Sequence, residues 1–299
     1  MKDKAEYLRI GLIQTSLDQD LAWDSTPTAP VTMSLIEELR IWNEIKKGFS
    51  YLKSEPENNR PHIIILPELT IPLSREIELQ KIASKMGAVI IAGLDFQDSD
   101  GHVENKAVVI IPKSWPKIPS YGGVNKLYFG KTFFAYDEKK YFIDKHKIGK
   151  PWPVMHILDA GSFGRIGVAI CSDFFDIERF LIYRGNIHHM IVIAYNKDVK
   201  SYYFLAEAIS RLVYCNVVIC NTGFYGGSIV FSLYKDEYKR YIYKHEGGKL
   251  FTSQILNLPV RQLDEAQIST SDEDRVFKAK PPGYKNRILN RTNETNILE

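Results

Sequence analysis

The sequence predicts an α/β protein. Short β-rich runs alternate with longer helical patterns along most of the chain. Several of the β-rich runs are continuously apolar instead of alternating, the mark of strands covered on both faces. Composition supports a folded protein: 299 residues, 44% apolar and 25% charged, are ordinary globular values. A single fold of that length buries roughly three quarters of the surface its unfolded chain exposes.

The elements follow in order. Residues 8–15 read as a strand. Residues 31–52 place Leu35, Ile36, Leu39, Trp42, Ile45 and Phe49 at helical spacing. Residues 62–66 form a continuous apolar strand, stopped by Pro67. Residues 74–85 predict a helix with Ser74 as N-cap and Ile77, Ile82 and Ala83 facing inward. Strands are predicted at 88–92, 107–111, 165–170, 189–195, 217–220 and 228–233, and helices at 176–184 and 201–214. Residues 113–123, rich in Pro, Gly and Ser, and residues 126–150, crowded with Lys, Phe and Tyr, read as irregular. Residues 262–299 hold seven acidic and six basic residues and few apolar ones. They predict a charged C-terminal arm or tail after a domain spanning residues 1–261.

Several function classes recede on composition. A net charge of +3, from 39 basic and 36 acidic residues, is too even for bulk nucleic-acid binding. Tyr234, Tyr238, Tyr241 and Tyr243 interleave with Lys235, Lys239, Arg240 and Lys244, a pattern found in nucleic-acid binders, but a solvated hairpin explains it more simply. Three cysteines with no Cys-x-x-Cys pair cannot build a disulfide framework, so a reducing compartment is expected. The apolar runs at 63–66, 108–111 and 190–194 fall far short of the roughly 18 residues of a membrane span. The opening residues lack an apolar segment of secretory type, and a cytoplasmic location is the expectation. His188-His189 has no partners at metal-ligand spacing, so both are expected to be structural, and Cys215 and Cys220 read as core thiols.

Two places carry chemistry. In Gly164-Arg165-Ile166-Gly167-Val168-Ala169-Ile170-Cys171-Ser172-Asp173 an apolar strand ends in a cysteine, with a helix starting within a few residues. The strand fixes the sulfur, and free N–H groups at a helix start favour a thiolate and can bind an oxyanion. In Ile63-Ile64-Ile65-Leu66-Pro67-Glu68-Leu69 a carboxylate sits just past a buried strand, where ligands bind in α/β sheets. A partly desolvated glutamate there can serve as a general base. Taken singly, Cys171 also reads as a small buried hydrophobe and Glu68 as a helix N-terminal residue.

In combination the pattern is more specific. Pro67-Glu68, then a lysine followed by a glutamate, then Gly-x-x-Ile-Cys-x-Asp resembles the carbon–nitrogen hydrolase (nitrilase) superfamily. The likeness runs from residue 8 to about residue 259. It takes in the opening strand at 9–15, Asn105-Lys106-Ala107-Val108-Val109-Ile110, Asn221-Thr222-Gly223 and the strand at 226–230. The resemblance implies a four-layer α-β-β-α sandwich with the site at the strand ends. It implies Cys171 as nucleophile, Glu68 as general base, Lys131 as the oxyanion-stabilising cation and Glu138 as the second glutamate, with the backbone N–H of Ser172 joining Lys131. Lys126 is the competing assignment for the lysine; its separation from Glu138 fits less well. No metal and no organic cofactor are implied. The partners implied are a small-molecule amide and a second copy of the chain, as a homodimer or higher homo-oligomer.

The departures are specific too. Ser172 stands where the family often has an aromatic residue, Asp176-Ile177-Glu178 replaces Phe-Pro-Glu, and Ala208-Ile209-Ser210-Arg211-Leu212 replaces a late Arg-Ala-x-Glu-Asn. They imply a divergent member. Nitrilases tend to carry Cys-Trp-Glu at the nucleophile, whereas Asp173 at the third position points to an amide substrate. The alternatives are a module that passes the acyl group or ammonia to another acceptor, and a non-catalytic interaction or regulatory module of a larger assembly.

Overall fold

The structure, a computed structural model, describes residues 3–116, 123–271 and 276–288. Its strands are β1 (Tyr7–Gln14), β2 (Ile63–Ile65), β3 (Val89–Gly93), β4 (Gln97–Ser99), β5 (His102–Glu104), β6 (Lys106–Pro112), β7 (Val124–Gly130) and β8 (Ile148–Gly149). Then follow β9 (Ile157–Asp159), β10 (Arg165–Ile170), β11 (His189–Ala194), β12 (Asn216–Asn221), β13 (Ile229–Phe231), β14 (Tyr241–Lys244) and β15 (Thr252–Pro259). One six-stranded sheet has the order β15-β1-β2-β3-β6-β7, a second β14-β13-β12-β11-β10-β9, and a small third sheet β4-β5-β8. Each large sheet has three parallel strands at its centre, β1-β2-β3 and β10-β11-β12, flanked by antiparallel ones.

Side-chain alternation builds the layers. Ile63 and Ile65 of β2 join Ile10, Val89 and Ile91 in the core between the two sheets. Ile64, with Ile90 and Ile110, turns the other way, against Trp42, Phe49 and Leu79. Those residues come from the helices Leu35–Ser54 and Glu76–Met86, which cover the first sheet. Strands β11 and β12 are buried at every position. Their remaining face lies under Phe180, Tyr202, Ala206 and Ile209, from the helices Ile177–Tyr183 and Val199–Ile209. The result is helix, sheet, sheet, helix, the four-layer α-β-β-α sandwich the sequence implied.

Local differences have local causes. Leu35, Ile36 and Leu39 are exposed (67%, 78% and 48%), because the helix starts only at Leu35 and turns Ile41, Trp42, Ile45 and Leu52 to the sheet. Ser34 is its N-cap, accepting from Glu37 N at 3.3 Å. Ser74 caps nothing; it lies in a 3-10 turn, Leu73–Arg75, and the next helix buries Leu79 while Ile77 is exposed. The stretch read as irregular at 126–150 holds most of β7, the helix Tyr136–Asp144 and β8. Of the loop at 113–123, residues 117–122 lie outside the described residues.

The segment expected as an arm or tail starts as packed structure. Arg261–Ile268 is a helix whose Leu263 and Ala266 pack with Tyr214, Leu233 and Phe277. Gln267 Nε2 donates to the carbonyls of Ile187 (3.0 Å) and Tyr214 (2.8 Å). Asp264 accepts from His188 Nε2 at 2.8 Å, and His188 Nδ1 accepts from the Arg165 amide. His189 is held by the Phe163 carbonyl and by Asn216. A one-sided helix needs few apolar residues to dock, which is why low apolar content misled the sequence reading here. Residues 272–275 and 289–299 lie outside the described residues.

Candidate active site

The carboxyl ends of the central strands in both sheets meet at one place, the usual ligand position in α/β folds. Glu68 follows β2 by three residues, Lys131 follows β7 directly, Cys171 follows β10 directly and Tyr195 follows β11 directly. Asn105 lies between β5 and β6, and Glu138 in the first turn of the helix Tyr136–Asp144.

Lys131 and Glu68 are each 1% exposed. Lys131 Nζ donates to Glu68 Oε1 at 2.8 Å and to Glu138 Oε2 at 2.5 Å. Asn105 Nδ2 closes the ring, donating to Glu68 Oε1 at 2.8 Å and to Glu138 Oε1 at 3.0 Å. Glu68 Oε2 accepts from the Tyr195 amide at 2.7 Å, and Glu138 Oε2 from the Ala135 amide at 2.8 Å. Two carboxylates share one ammonium, and backbone and amide N–H groups supply the rest of the solvation that burial removes.

Electrostatics follow from that packing. Burial alone would lower the Lys131 ammonium, but its neighbours Cys171, Glu138 and Glu68 hold it well above its ordinary value. Burial raises Glu138, with Lys131 opposing and Glu68 adding to the rise. Burial pushes the Cys171 thiol up to about 12, Glu68 adding to it and Lys131 opposing. The sequence reading expected helix-start N–H groups to favour a thiolate. In the folded protein desolvation wins, and the thiol is protonated at rest.

Backbone strain sits at both key turns. Cys171 has φ +46° and Leu69, next to Glu68, has φ +56°. Non-glycine residues in this left-handed region cost about 1–3 kcal/mol each and persist where surroundings over-determine them. Those surroundings are identifiable. Asp173 accepts from the amides of Thr132 (3.1 Å) and Phe133 (2.8 Å) and pairs with Arg179 at 3.4 Å. Ser172 Oγ donates to the Phe133 carbonyl. The cysteine turn is thereby stapled to the loop that carries Lys131. On the other side, a Cβ on Gly93 would stand 2.4 Å from Glu68 Cα, so only glycine admits the Glu68 backbone there.

The structure brings Glu68, Lys131, Glu138 and Cys171 together, with Ser172 second in the 3-10 turn Cys171–Phe175. Lys126 is elsewhere, paired with Glu76 at 2.8 Å on the surface. Cys215 and Cys220 are wholly buried in the core, and neither makes a hydrogen bond to Glu68, Lys131 or Glu138. Sequence reasoning missed Asn105, Tyr195, Gly93 and Tyr202, whose hydroxyl lies 3.5 Å from Cys171 Sγ. Among the described residues no group of three or more His, Cys, Asp or Glu is arranged to hold a metal ion, and no helix is long and apolar enough to cross a membrane.

Comparison with known proteins identifies the fold. No family model matches the chain, and no curated protein does. Solved structures do. XC1258 from Xanthomonas campestris, a CN-hydrolase superfamily protein with an arsenic adduct in its active site, superposes with a TM-score of 0.60 at 13% identity, over 88% of this chain and 94% of that one. An amidase from Nesterenkonia sp. gives 0.58 at 12% identity, over 89% and 95%. The cysteine-to-alanine variant of the Nesterenkonia sp. AN1 amidase, in complex with butyramide, gives 0.60 at 12% identity, over 87% and 94%. Over nearly its whole length, and at great sequence distance, this chain has the fold of the carbon–nitrogen hydrolase superfamily.

Proposed function

We propose that the chain is a divergent carbon–nitrogen hydrolase, acting on an amide through a cysteine thioester. The observation that carries this is the convergence of Glu68, Lys131 and Glu138 around a strained, buried Cys171. Two similar structures supply context. One is the butyramide complex already described. In the other, a glutamate-to-glutamine variant of the same amidase, the acetamide moiety of fluoroacetamide is added covalently at the active-site cysteine.

The mechanism follows from atoms still free to act. A carboxylate offers about four acceptor positions, and three of Glu68's are taken, two on Oε1 and one on Oε2. The remaining position can take the thiol proton as Cys171 Sγ bonds to the amide carbon. A thiol raised to about 12 needs such a base within the same step. Lys131 Nζ has three N–H donors and spends two on carboxylates. The third, with the Ser172 N–H at the start of its 3-10 turn, serves the tetrahedral oxyanion. Collapse of that intermediate breaks the C–N bond, and protonated Glu68 returns its proton to the leaving amine. Water, deprotonated by Glu68, then cleaves the thioester and restores thiol and carboxylate. Glu138 keeps Lys131 charged and fixed.

An amide is preferred over a nitrile because these donors address oxygen charge, and because Asp173 follows the cysteine by two. Matched amide and nitrile pairs, compared by kcat/KM, test this: amides are turned over faster, and faster ammonia release from nitriles would contradict the assignment. The same reading makes the protein a homo-oligomer in the cytoplasm. Ile177, Leu181 and Phe204 are 73%, 58% and 76% exposed on the helices over the second sheet, an apolar face that a second copy would cover. Sedimentation of a Leu181→Asp, Phe204→Asp variant as a monomer, against an oligomeric parent, is the expected result.

A further inference from the structure

Tyr202 belongs to none of the roles above, yet it touches the reacting sulfur. It lies on the helix Val199–Ile209, which starts at the N-cap Asp198 and turns Tyr202, Ala206 and Ile209 inward. Its ring is 2% exposed, packed on Phe174 and Phe175 with centroids 5.7 and 5.8 Å away. That packing leaves the ring little freedom, and it aims the hydroxyl at Cys171 Sγ, 3.5 Å away. Buried hydroxyls find partners as a rule. Here the partner is the nucleophilic atom of the proposed reaction.

We propose that Tyr202 is a further catalytic residue, its hydroxyl donating to Cys171 Sγ and stabilising the sulfur as it becomes a thiolate. This rests on the reading of Cys171 as the nucleophile. A hydrogen bond to an ionised acceptor is roughly twice as strong as one to a neutral acceptor, so the contact tightens as the proton leaves for Glu68. The charged groups around the sulfur are Glu68, Lys131 and Glu138, and the two glutamates oppose ionisation. Tyr202 opposes them without adding charge. Its own proton is firmly held: burial, with the neighbouring Cys171, raises the phenol well above its ordinary value. It therefore acts as a donor and not as a base.

The test needs no substrate. Alkylation of Cys171 by iodoacetamide is followed by peptide mass mapping across a pH series, in the parent and in Tyr202→Phe, which keeps the ring. The expected result is alkylation of Cys171 roughly ten-fold slower in Tyr202→Phe at neutral pH, with the rate profile moved to higher pH. Tyr203→Phe is the control; it removes a hydroxyl from the same helix that bonds the His245 carbonyl, and should alkylate like the parent. Equal rates and profiles in the parent and a folded Tyr202→Phe would overturn the proposal, as would an equal fall in Tyr203→Phe. If Tyr202→Phe does not fold, 3-fluorotyrosine placed at 202 keeps the shape and sharpens the donor. Faster alkylation then supports the role and an unchanged rate overturns it. Labelling of Cys215 or Cys220 in place of Cys171 would overturn the nucleophile reading as well, which separates the two failures.

Discussion

Two buried polar clusters, one at each end of the sandwich, solve the same physical problem differently. The first surrounds His188, His189, Asn216 and Asp264. Each ring nitrogen of the two histidines has a partner, and Asn216 donates to His189 and to the Pro259 carbonyl while accepting from Ser232. Burial keeps both imidazoles below their ordinary values, so they sit neutral. The second surrounds Cys171. It holds two carboxylates to one ammonium, a protonated thiol on strained backbone, and Asn105 Oδ1 buried without a partner. The cluster that supports the fold gives each imidazole nitrogen a partner, with one carboxylate, Asp264, at its edge. A cluster that retains excess charge, strain and spare acceptors is costly to keep, and the carbon–nitrogen hydrolase reading gives each spare capacity a use.

The sharpest contrast comes from substitutions in the second cluster. Cys171→Ala should abolish turnover and leave the sandwich folded, whereas Cys215→Ala and Cys220→Ala should keep activity and lower stability modestly. Comparable activity in Cys171→Ala would end the distinction between the clusters. Glu68→Gln and Lys131→Met should each lower kcat by at least ~100-fold, the scale of a lost base or oxyanion donor. Lys126→Met should be mild, since its partner is the surface Glu76. The reverse ranking of the lysines would contradict the site.

Gly93→Ala probes how tightly the site is built. The added Cβ meets backbone at Glu68, 2.4 Å away, and cannot be absorbed by a side-chain rotation. A displacement near 1 Å costs on the order of 100-fold, so kcat should fall far more than the thermal midpoint. Equal kcat in a folded Gly93→Ala would mean that the Glu68 turn tolerates movement.

The histidine cluster should respond in stability alone. Asp264→Ala leaves the His188 Nε2–H buried without an acceptor, a loss of about 1–3 kcal/mol, with kcat unchanged. Removing residues 262–299 should lower the thermal midpoint further, because Leu263, Ala266 and Phe277 are buried. The pH dependence has a definite sign. Folded His62 is lowered to about 4 and His189 to about 3, both chiefly by burial, while the unfolded chain takes up protons near 6.5. Stability present above that value should be lost as pH falls from it toward 4 and 3. A thermal midpoint flat across that interval would contradict the neutral assignment.

The two clusters were not equally legible in the sequence. Glu68 and Cys171 stand just behind apolar strands, so local pattern located them, and the four-layer fold was implied by the family resemblance that the motifs carry. Lys131 and Glu138 needed the family likeness, because the stretch around them reads as a run of Lys, Phe and Tyr with no clear period. Asn105, Tyr195 and Tyr202 act only through atoms brought together from distant elements; a backbone amide such as that of Tyr195 has no sequence signature. Two signals were available. Gly93 breaks an otherwise apolar strand, and Tyr202 puts a hydroxyl on the inward face of an amphipathic helix. The docking of Arg261–Ile268 was hidden by averaging charge over residues 262–299, when the eight-residue helix alone is one-sided.

The central claim is that the Cys171 cluster makes a buried sulfur into a nucleophile. Incubation of the parent chain with fluoroacetamide, followed by peptide mass mapping, tests it most directly. All three cysteines are buried and burial raises all three thiols, Cys171 least, with 7% of its surface exposed against none for Cys215 and Cys220. Covalent addition of the acetamide group at Cys171 is expected, with Cys215 and Cys220 unmodified. No adduct at Cys171, or an equal distribution over the three, would contradict it.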